Sequence, residues 1–177
     1  MPIRSLLPSD AEAYRRIRQV SLAEVPQFVG PLAEQEAQSP VALLQTRLTQ
    51  YESEGLFPFG FFVGNHCAGV AALSQKANPK YAHKVFFWGM YVMPEFRGRH
   101  IGRNLMKHRI DFARNRLKAR FVSSQVTTTN KPSLALHHRF GFISCGVETH
   151  AMLLDGKFHD FELMHLDLNT SAQAFSE

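Results

Sequence analysis

Seven consecutive residues, Arg97-Gly98-Arg99-His100-Ile101-Gly102-Arg103, place three arginines and two glycines between two apolar segments. Before them runs Val85 to Met93, apolar and strand-like. After them, Ile101 to Leu117 carries apolar residues at helical spacing. Strand, basic glycine-bearing turn and helix together make a device for holding phosphate. The turn offers backbone N–H groups, the helix N-terminus adds partial positive charge, and the arginines add full charges. Arg109, further along the same helix, adds to the local charge. A solvated surface helix that starts on basic residues is the plain alternative.

The composition narrows the ligand. At 177 residues the chain suits one domain with a large core. Residues 1–168 are expected to form it, with 169–177 as a polar tail. Net charge is +5, which suits nucleic acid, an anionic membrane or a phosphorylated small molecule. Nine of the 20 Lys and Arg residues fall between Arg97 and Arg120, so the excess gathers around the turn. Cys67 and Cys145 make no disulfide framework and read as buried free thiols. No signal-like N-terminus is present, and no apolar run approaches the ~18 residues of a membrane span. A cytoplasmic location is the expectation.

The elements that position the turn follow from periodicity. Ile3 to Leu7 reads as a strand, and Ser9-Asp10 starts a helix bearing Tyr14, Ile17 and Val20. Residues 25–39 hold two prolines and a glycine and read as loop. Ser39-Pro40 opens a second helix through Val41, Leu44, Leu48 and Tyr51, with Gly55 as its stop. Phe57 to Val63 and Cys67 to Leu73 flank Gly64-Asn65, a hairpin signal. Pro94 ends the strong strand. Arg120 to Val126 is a further strand, and Asn130-Lys131-Pro132-Ser133 opens a short helix that Gly141 ends. Ile143 to Leu154 and Lys157 to Leu168 pair about Asp155-Gly156, which suits a type I′ turn. About seven strands and about four helices make an α+β fold, of α/β three-layer type, around a mixed central sheet.

In its order of elements, and most specifically from Trp88 to Phe142, the chain resembles the GNAT superfamily of N-acetyltransferases. The resemblance rests on the Arg97 to Arg103 turn between strand and helix. It rests also on Asn130, Leu136, Gly141 and Phe142 in the later segment, and on the closing hairpin with Asp155-Gly156-Lys157 and His159-Asp160. It implies an acyl-CoA N-acyltransferase-like fold with a largely antiparallel sheet and acetyl-CoA as co-substrate between the fourth and fifth strands. Tyr91 and Val92 would touch the acetyl end through backbone groups. Arg97, Gly98, Arg99, His100, Ile101, Gly102 and Arg103 would hold the pyrophosphate, and Asn130 and His137 would border the cofactor. Two positions depart from the family pattern. His100 stands where the turn's middle glycine is usual, and His137 where a tyrosine that protonates the departing thiolate is frequent. An imidazolium, with a reference pKa of ~6.5 against ~8.5 for a thiol, is acidic enough for that task. A neutral ring offers only a weaker hydrogen bond, and the plain reading of His137 is a half-buried helix residue.

Acetylation needs a neutral attacking amine, so a carboxylate, a histidine or ordered water must take a proton. Glu148 and His150, two apart on a strand, are expected on one face, and either Glu148 or Tyr91 could border the acetyl group. Glu24, Glu34 and Glu36 fall where the superfamily shapes its acceptor pocket, although a solvated charge set is the plainer reading. Trp88 reads as core. No His-Glu-x-x-His occurs, and the adjacent His137 and His138 diverge on a helix, so no metal is expected.

The expectation is an N-acetyltransferase moving an acetyl group from acetyl-CoA to a primary amine of a small molecule, amino acid or peptide. Attack is direct, in a ternary complex, by a monomer or homodimer with neither nucleic acid nor membrane as partner. Two readings stay open beside it. One is a non-catalytic acyl-CoA-binding module of the same fold, which His100 and His137 keep alive. The other is a nucleic-acid binder on the basic helix, for which no aromatic-basic strand motif is present.

Overall fold

A computed structural model describes residues 2–169. Of the expected tail, only Asn169 falls within them. Seven strands form one sheet in the order β1-β2-β3-β4-β5-β7-β6. They are β1 (Ile3–Ser5), β2 (Leu56–Val63), β3 (His66–Gln75), β4 (Lys84–Val92), β5 (Phe121–Thr127), β6 (Ile143–Leu154) and β7 (Lys157–Asp167). Neighbours are antiparallel throughout except β4 and β5, which run parallel. The mixed, largely antiparallel sheet is the expected one.

Among the described residues there are five α-helices, one more than expected: α1 (Ala11–Glu24), α2 (Pro31–Gln38), α3 (Val41–Gln50), α4 (Ile101–Asn115) and α5 (Lys131–Arg139). The additional helix, α2, lies within 25–39, which reads as loop from its prolines. Its first residue is Pro31, where a missing N–H costs nothing and the fixed φ helps. Ala33, Glu36 and Ala37 on it are buried. Helices lie on both faces of the sheet. Tyr14 and Ile17 of α1 and Leu44 and Leu48 of α3 pack with Val70, Tyr91 and Met93. Met106, Ile110 and Ala113 of α4 and Leu134 of α5 pack with Leu73, Val85 and Phe87 on the other face. Each large apolar side chain so buried contributes about 1.5–3 kcal/mol. No helix among the described residues is long and apolar enough to cross a membrane.

Two irregularities in β4 matter most. Ala72 pairs with Trp88 and Val70 with Tyr91, so Gly89 and Met90 together oppose Ala71 alone. Gly89 takes φ +64° there, a conformation open to glycine without strain. The bulge reverses the alternation: Val85 and Phe87 face α4, whereas Tyr91 and Met93 face α1. The second irregularity is that β4 and β5 pair only from Lys84 with Phe121 to Phe87 with Ser124. Beyond that point both strands continue, but apart.

The β6–β7 hairpin turns at Asp155 and Gly156, with φ +47° and +74° as a type I′ turn needs. Along β6 the register shifts between Glu148 and Met152, and His150 sits at φ +56°. The expected common face of Glu148 and His150 assumed unbroken alternation, which this bulge interrupts. The thiols also differ from expectation. Cys67 is partly buried and Cys145 is exposed, since it lies on the outer edge strand.

Candidate active site

Where β4 and β5 part, a cavity of about 500 Å³ opens between them. Its walls come from both faces of the sheet: Phe28 and Leu32 from the α1–α2 side, Arg109 and His137 from α4 and α5 on the other. Met152 and Phe161 of the β6–β7 hairpin close one flank. At the end of β5, the Thr127 hydroxyl donates to the Gln27 carbonyl at 3.1 Å. That bond ties the separated strand to the turn that walls the cavity. Trp88, expected in the core, is half-buried and lines the opening.

A buried polar network braces the bulge from the α1 face. Glu36 is fully buried and accepts from Arg18 Nε at 2.9 Å, Tyr14 at 2.8 Å and Tyr51 at 2.9 Å. Arg18 Nη1 then donates to the Gly89 carbonyl at 2.8 Å. A Cβ at Gly89 would stand 2.8 Å from Arg18 Nη2, so the arginine occupies the space that glycine leaves. Glu36 is therefore not part of a solvated acidic set. It is the anion that makes a buried Arg18 affordable.

Arg109 reaches the same bulge from the α4 face. Its guanidinium stacks 4.3 Å over the Phe87 ring, and Nη1 donates to Ala72 O at 3.1 Å and Trp88 O at 3.4 Å. Arg109 therefore does not serve the phosphate turn, because its helix position shares the inward face of Leu105 and Met106. Among the described residues no carboxylate pairs with it. Desolvation pulls its pKa down to about 9, yet it is charged at neutral pH.

His137 sits beside it on the cavity wall, 3% exposed. Nδ1 lies 2.8 Å from the Ser133 carbonyl. A carbonyl can only accept, so Nδ1 carries the proton. Burial, helped by the nearby Arg109 charge, pushes the pKa down to about 4, against the raising effect of the Ser133 bond. At neutral pH the ring is uncharged, and Nε2 is an acceptor with no partner among the described residues. Of the two ring states that the sequence leaves open, imidazolium and neutral, burial and the Ser133 bond favour the neutral one. The ring is buried, not half-buried, and its proton is committed to the helix backbone.

Asn130 caps α5, its Oδ1 accepting from the Ser133 N–H at 3.2 Å, and it also borders the cavity. The basic turn follows the C-terminal end of β4, the end at which β4 has parted from β5. Gly98 and His100 both take positive φ, +75° and +59°. The first intrahelical bond of α4 runs from the Asn104 N–H to the His100 carbonyl at 3.0 Å, so the Ile101 and Gly102 N–H groups have no acceptor within the helix. Arg97 turns away from this end. It forms a bidentate pair with Glu24, at 2.7 and 2.6 Å, and donates Nε to Val92 O at 3.2 Å. Arg99 stacks 5.5 Å from the Phe96 ring, and Arg103 is exposed.

Tyr91 also donates its hydroxyl to Glu24. Desolvation, and then that bond, raise its pKa to about 12. The Arg97 bonds, followed by the Tyr91 bond, hold Glu24 down at about 2. Neither Tyr91 nor Glu148 lines the cavity, and Glu148 is exposed. The β6 residues that reach the cavity are Ala151, within the bulge, and Met152, where pairing resumes. No three His, Cys, Asp or Glu side chains among the described residues are gathered so as to hold a metal ion.

A mixed sheet opened between two parallel neighbours, with helices on both faces and a glycine-bearing turn leading into α4, is the acyl-CoA N-acyltransferase architecture. The model of the acetyltransferase (GNAT) family matches residues 20–142, and the chain belongs to that family of acyltransferases. It is similar to the streptothricin acetyltransferase of Streptomyces lavendulae, 38% identical over 82 residues, which are 46% of this chain and 41% of that protein. The chain thus matches less than half the length of that relative. The fold is that of the GNAT-family acetyltransferase of Streptococcus pneumoniae, with TM-score 0.81, 20% identity and coverage of 93% of this chain and 97% of that one. It is also that of the Salmonella typhimurium protein yncA, solved with its cofactor acetyl-CoA, with TM-score 0.80, 20% identity and coverage of 94% and 92%.

Proposed function

We propose that this protein transfers an acetyl group from acetyl-CoA to a primary amine of a small molecule, amino acid or peptide, by direct attack in a ternary complex. The parting of β4 and β5 carries this reading, because it leaves backbone groups without ladder partners beside a cavity walled from both faces. The unpartnered His137 Nε2 and the first-turn N–H groups of α4 fit the same ligand. Acetyl-CoA supplies an activated acyl group as a thioester. On this reading Gly98 to Arg103 hold the pyrophosphate, through backbone N–H groups and the Arg99 and Arg103 charges. Tyr91 and Val92 act through their backbone, Asn130 sets the start of α5, and His137 borders the reacting end as an acceptor. Glu148, exposed and outside the cavity lining, is given no role on this reading. Cys67 is a poor nucleophile, since burial raises its pKa to about 11, and neither it nor Cys145 lines the cavity; direct attack on the thioester proceeds without a covalent enzyme intermediate.

The test is thermal stabilisation by acetyl-CoA followed by thiol release over an amine panel. A ligand at ~100 times its Kd adds about 2.7 kcal/mol. No stabilisation would sink the assignment. Stabilisation without thiol release from any amine would favour a non-catalytic acyl-CoA-binding module.

A further inference from the structure

We propose that the acceptor enters the cavity as an uncharged aromatic amine. The inference rests on the acetyl-transfer reading above and narrows its substrate class. Among the described residues that line the cavity, none is Asp, Glu or Lys, and Arg109 is the one that bears a formal charge. That charge has no carboxylate partner among the described residues and is fully buried. An ammonium brought beside it would place two like charges together on a largely apolar wall with no anion between them, which disfavours the charged amine.

The surrounding groups do not offset this. Arg18, 5.8 Å from the Trp88 ring, is matched by Glu36 alone. His138 turns its Nδ1 toward the Phe142 carbonyl, and its Nε2 lies 3.7 Å from Glu162. Glu24 is engaged by Arg97 and Tyr91.

Among the described residues lining the cavity, no side chain is basic enough to strip a proton from an ordinary ammonium. His137 is the titratable acceptor on the wall, and its pKa near 4 lies some six units below the ~10.4 of an alkylammonium. An amine attached directly to an aromatic ring shares its lone pair with the ring and is uncharged at neutral pH. It still carries the N–H that His137 Nε2 lacks. Its flat body suits the walls, where Phe28, Phe86, Trp88, Phe161 and Met152 supply ring and thioether surface. In the transfer, the amine lone pair forms the C–N bond as the C–S bond breaks. The electron pair leaves on sulfur, and the proton that nitrogen sheds neutralises it. Amide and thiol result, with no proton released to solvent.

The experiment is thiol release with acetyl-CoA and the full chain, comparing aniline and 4-methylaniline with benzylamine, spermidine and phenylalanine from pH 7 to 9. The expected result is a kcat/KM for the ring amines at least about tenfold above benzylamine at pH 7 and flat with pH, while that of any alkylamine accepted climbs about tenfold per unit as it loses its proton. Alkylamines, spermidine or phenylalanine exceeding the ring amines at pH 7 overturn the proposal, as does the absence of ring-amine turnover. If acetyl-CoA still stabilises the protein in those cases, the acetyl-transfer reading survives; if it does not, both fall. Arg109→Gln removes the cation. It should raise the benzylamine-to-aniline ratio at least about tenfold, the scale of a one-unit pKa change, and an unchanged ratio overturns the charge argument.

Discussion

Arg18 and Arg109 grip the β4 bulge from opposite faces of the sheet. Arg18 Nη1 donates to the Gly89 carbonyl at 2.8 Å, and Arg109 Nη1 to that of the preceding residue, Trp88, at 3.4 Å. The bulge that opens the cavity is thus held by two buried guanidiniums. One is matched by Glu36, and the other has no carboxylate among the described residues. Their loss should differ accordingly. Arg18→Met leaves the Glu36 carboxylate buried with only two tyrosine hydroxyls and should cost about 3–5 kcal/mol. Arg109→Met removes a donor from two carbonyls but leaves no buried charge unpaired, and should cost about 1–3 kcal/mol. Urea denaturation at pH 7 checks the order; Arg109→Met costing more than Arg18→Met would contradict the pairing.

This arrangement was partly legible from the chain. A glycine inside the strongest strand is a recognised sign of a bulge, and Arg109 stands four residues after Leu105 and three after Met106, on the inward stripe. Grouping it with Arg97, Arg99 and Arg103 by proximity overlooked that periodicity. The same holds for α2, where Gly30-Pro31 carries the start signal that Ser39-Pro40 displays. The helix after the strong strand, the hairpin turns and the element order follow from local patterns. The tautomer of His137, the Glu24–Arg97 pair and the Glu36 network do not, because each depends on partners many residues apart in sequence that only the packed sheet brings together.

His137 supplies a pH signature. Its folded pKa near 4 lies below the reference value of 6.5, so the unfolded chain binds the proton more readily. Stability from this group is therefore fully present above about pH 6.5. It falls as pH drops toward 4, by up to about 1.4 kcal/mol per unit and on the order of 3 kcal/mol in all. His137→Phe should flatten the stability curve between those pH values. His137→Gln, which restores an acceptor, should retain more thiol release than His137→Phe. Equal turnover of the two variants would deny the acceptor a role.

His100 begins α4 at φ +59° and ψ +14°, a conformation that costs a side chain about 1–2 kcal/mol. Glycine would relieve this strain but loses about 0.5–1 kcal/mol through its more flexible unfolded chain. His100→Gly should therefore be neutral or stabilised by up to about 1 kcal/mol, with acetyl-CoA stabilisation retained. His100→Val, whose branched side chain tolerates positive φ poorly, should lose more than about 1 kcal/mol. Thermal unfolding of the three proteins decides it. A strongly destabilised glycine variant would mean that the imidazole itself holds the turn.

Glu24 and Arg97 set a competition at the mouth of the turn. The bidentate pair holds Arg97 against the end of α1, and the bonds from Arg97 and then Tyr91 keep Glu24 ionised with a pKa near 2. A phosphate reaching Arg97 must displace that carboxylate. The pair is partly exposed, at 46% and 35% of the side chains, so it is worth only about 0.2–1 kcal/mol. Glu24→Gln keeps the shape and removes the anion. It should tighten acetyl-CoA binding by up to about fivefold and steepen its dependence on salt, as Arg97 becomes available to the ligand. Titration calorimetry at two ionic strengths measures both. Unchanged affinity and salt slope would mean that Arg97 stays with α1 when the cofactor binds, leaving the pyrophosphate to Arg99, Arg103 and the backbone of the turn.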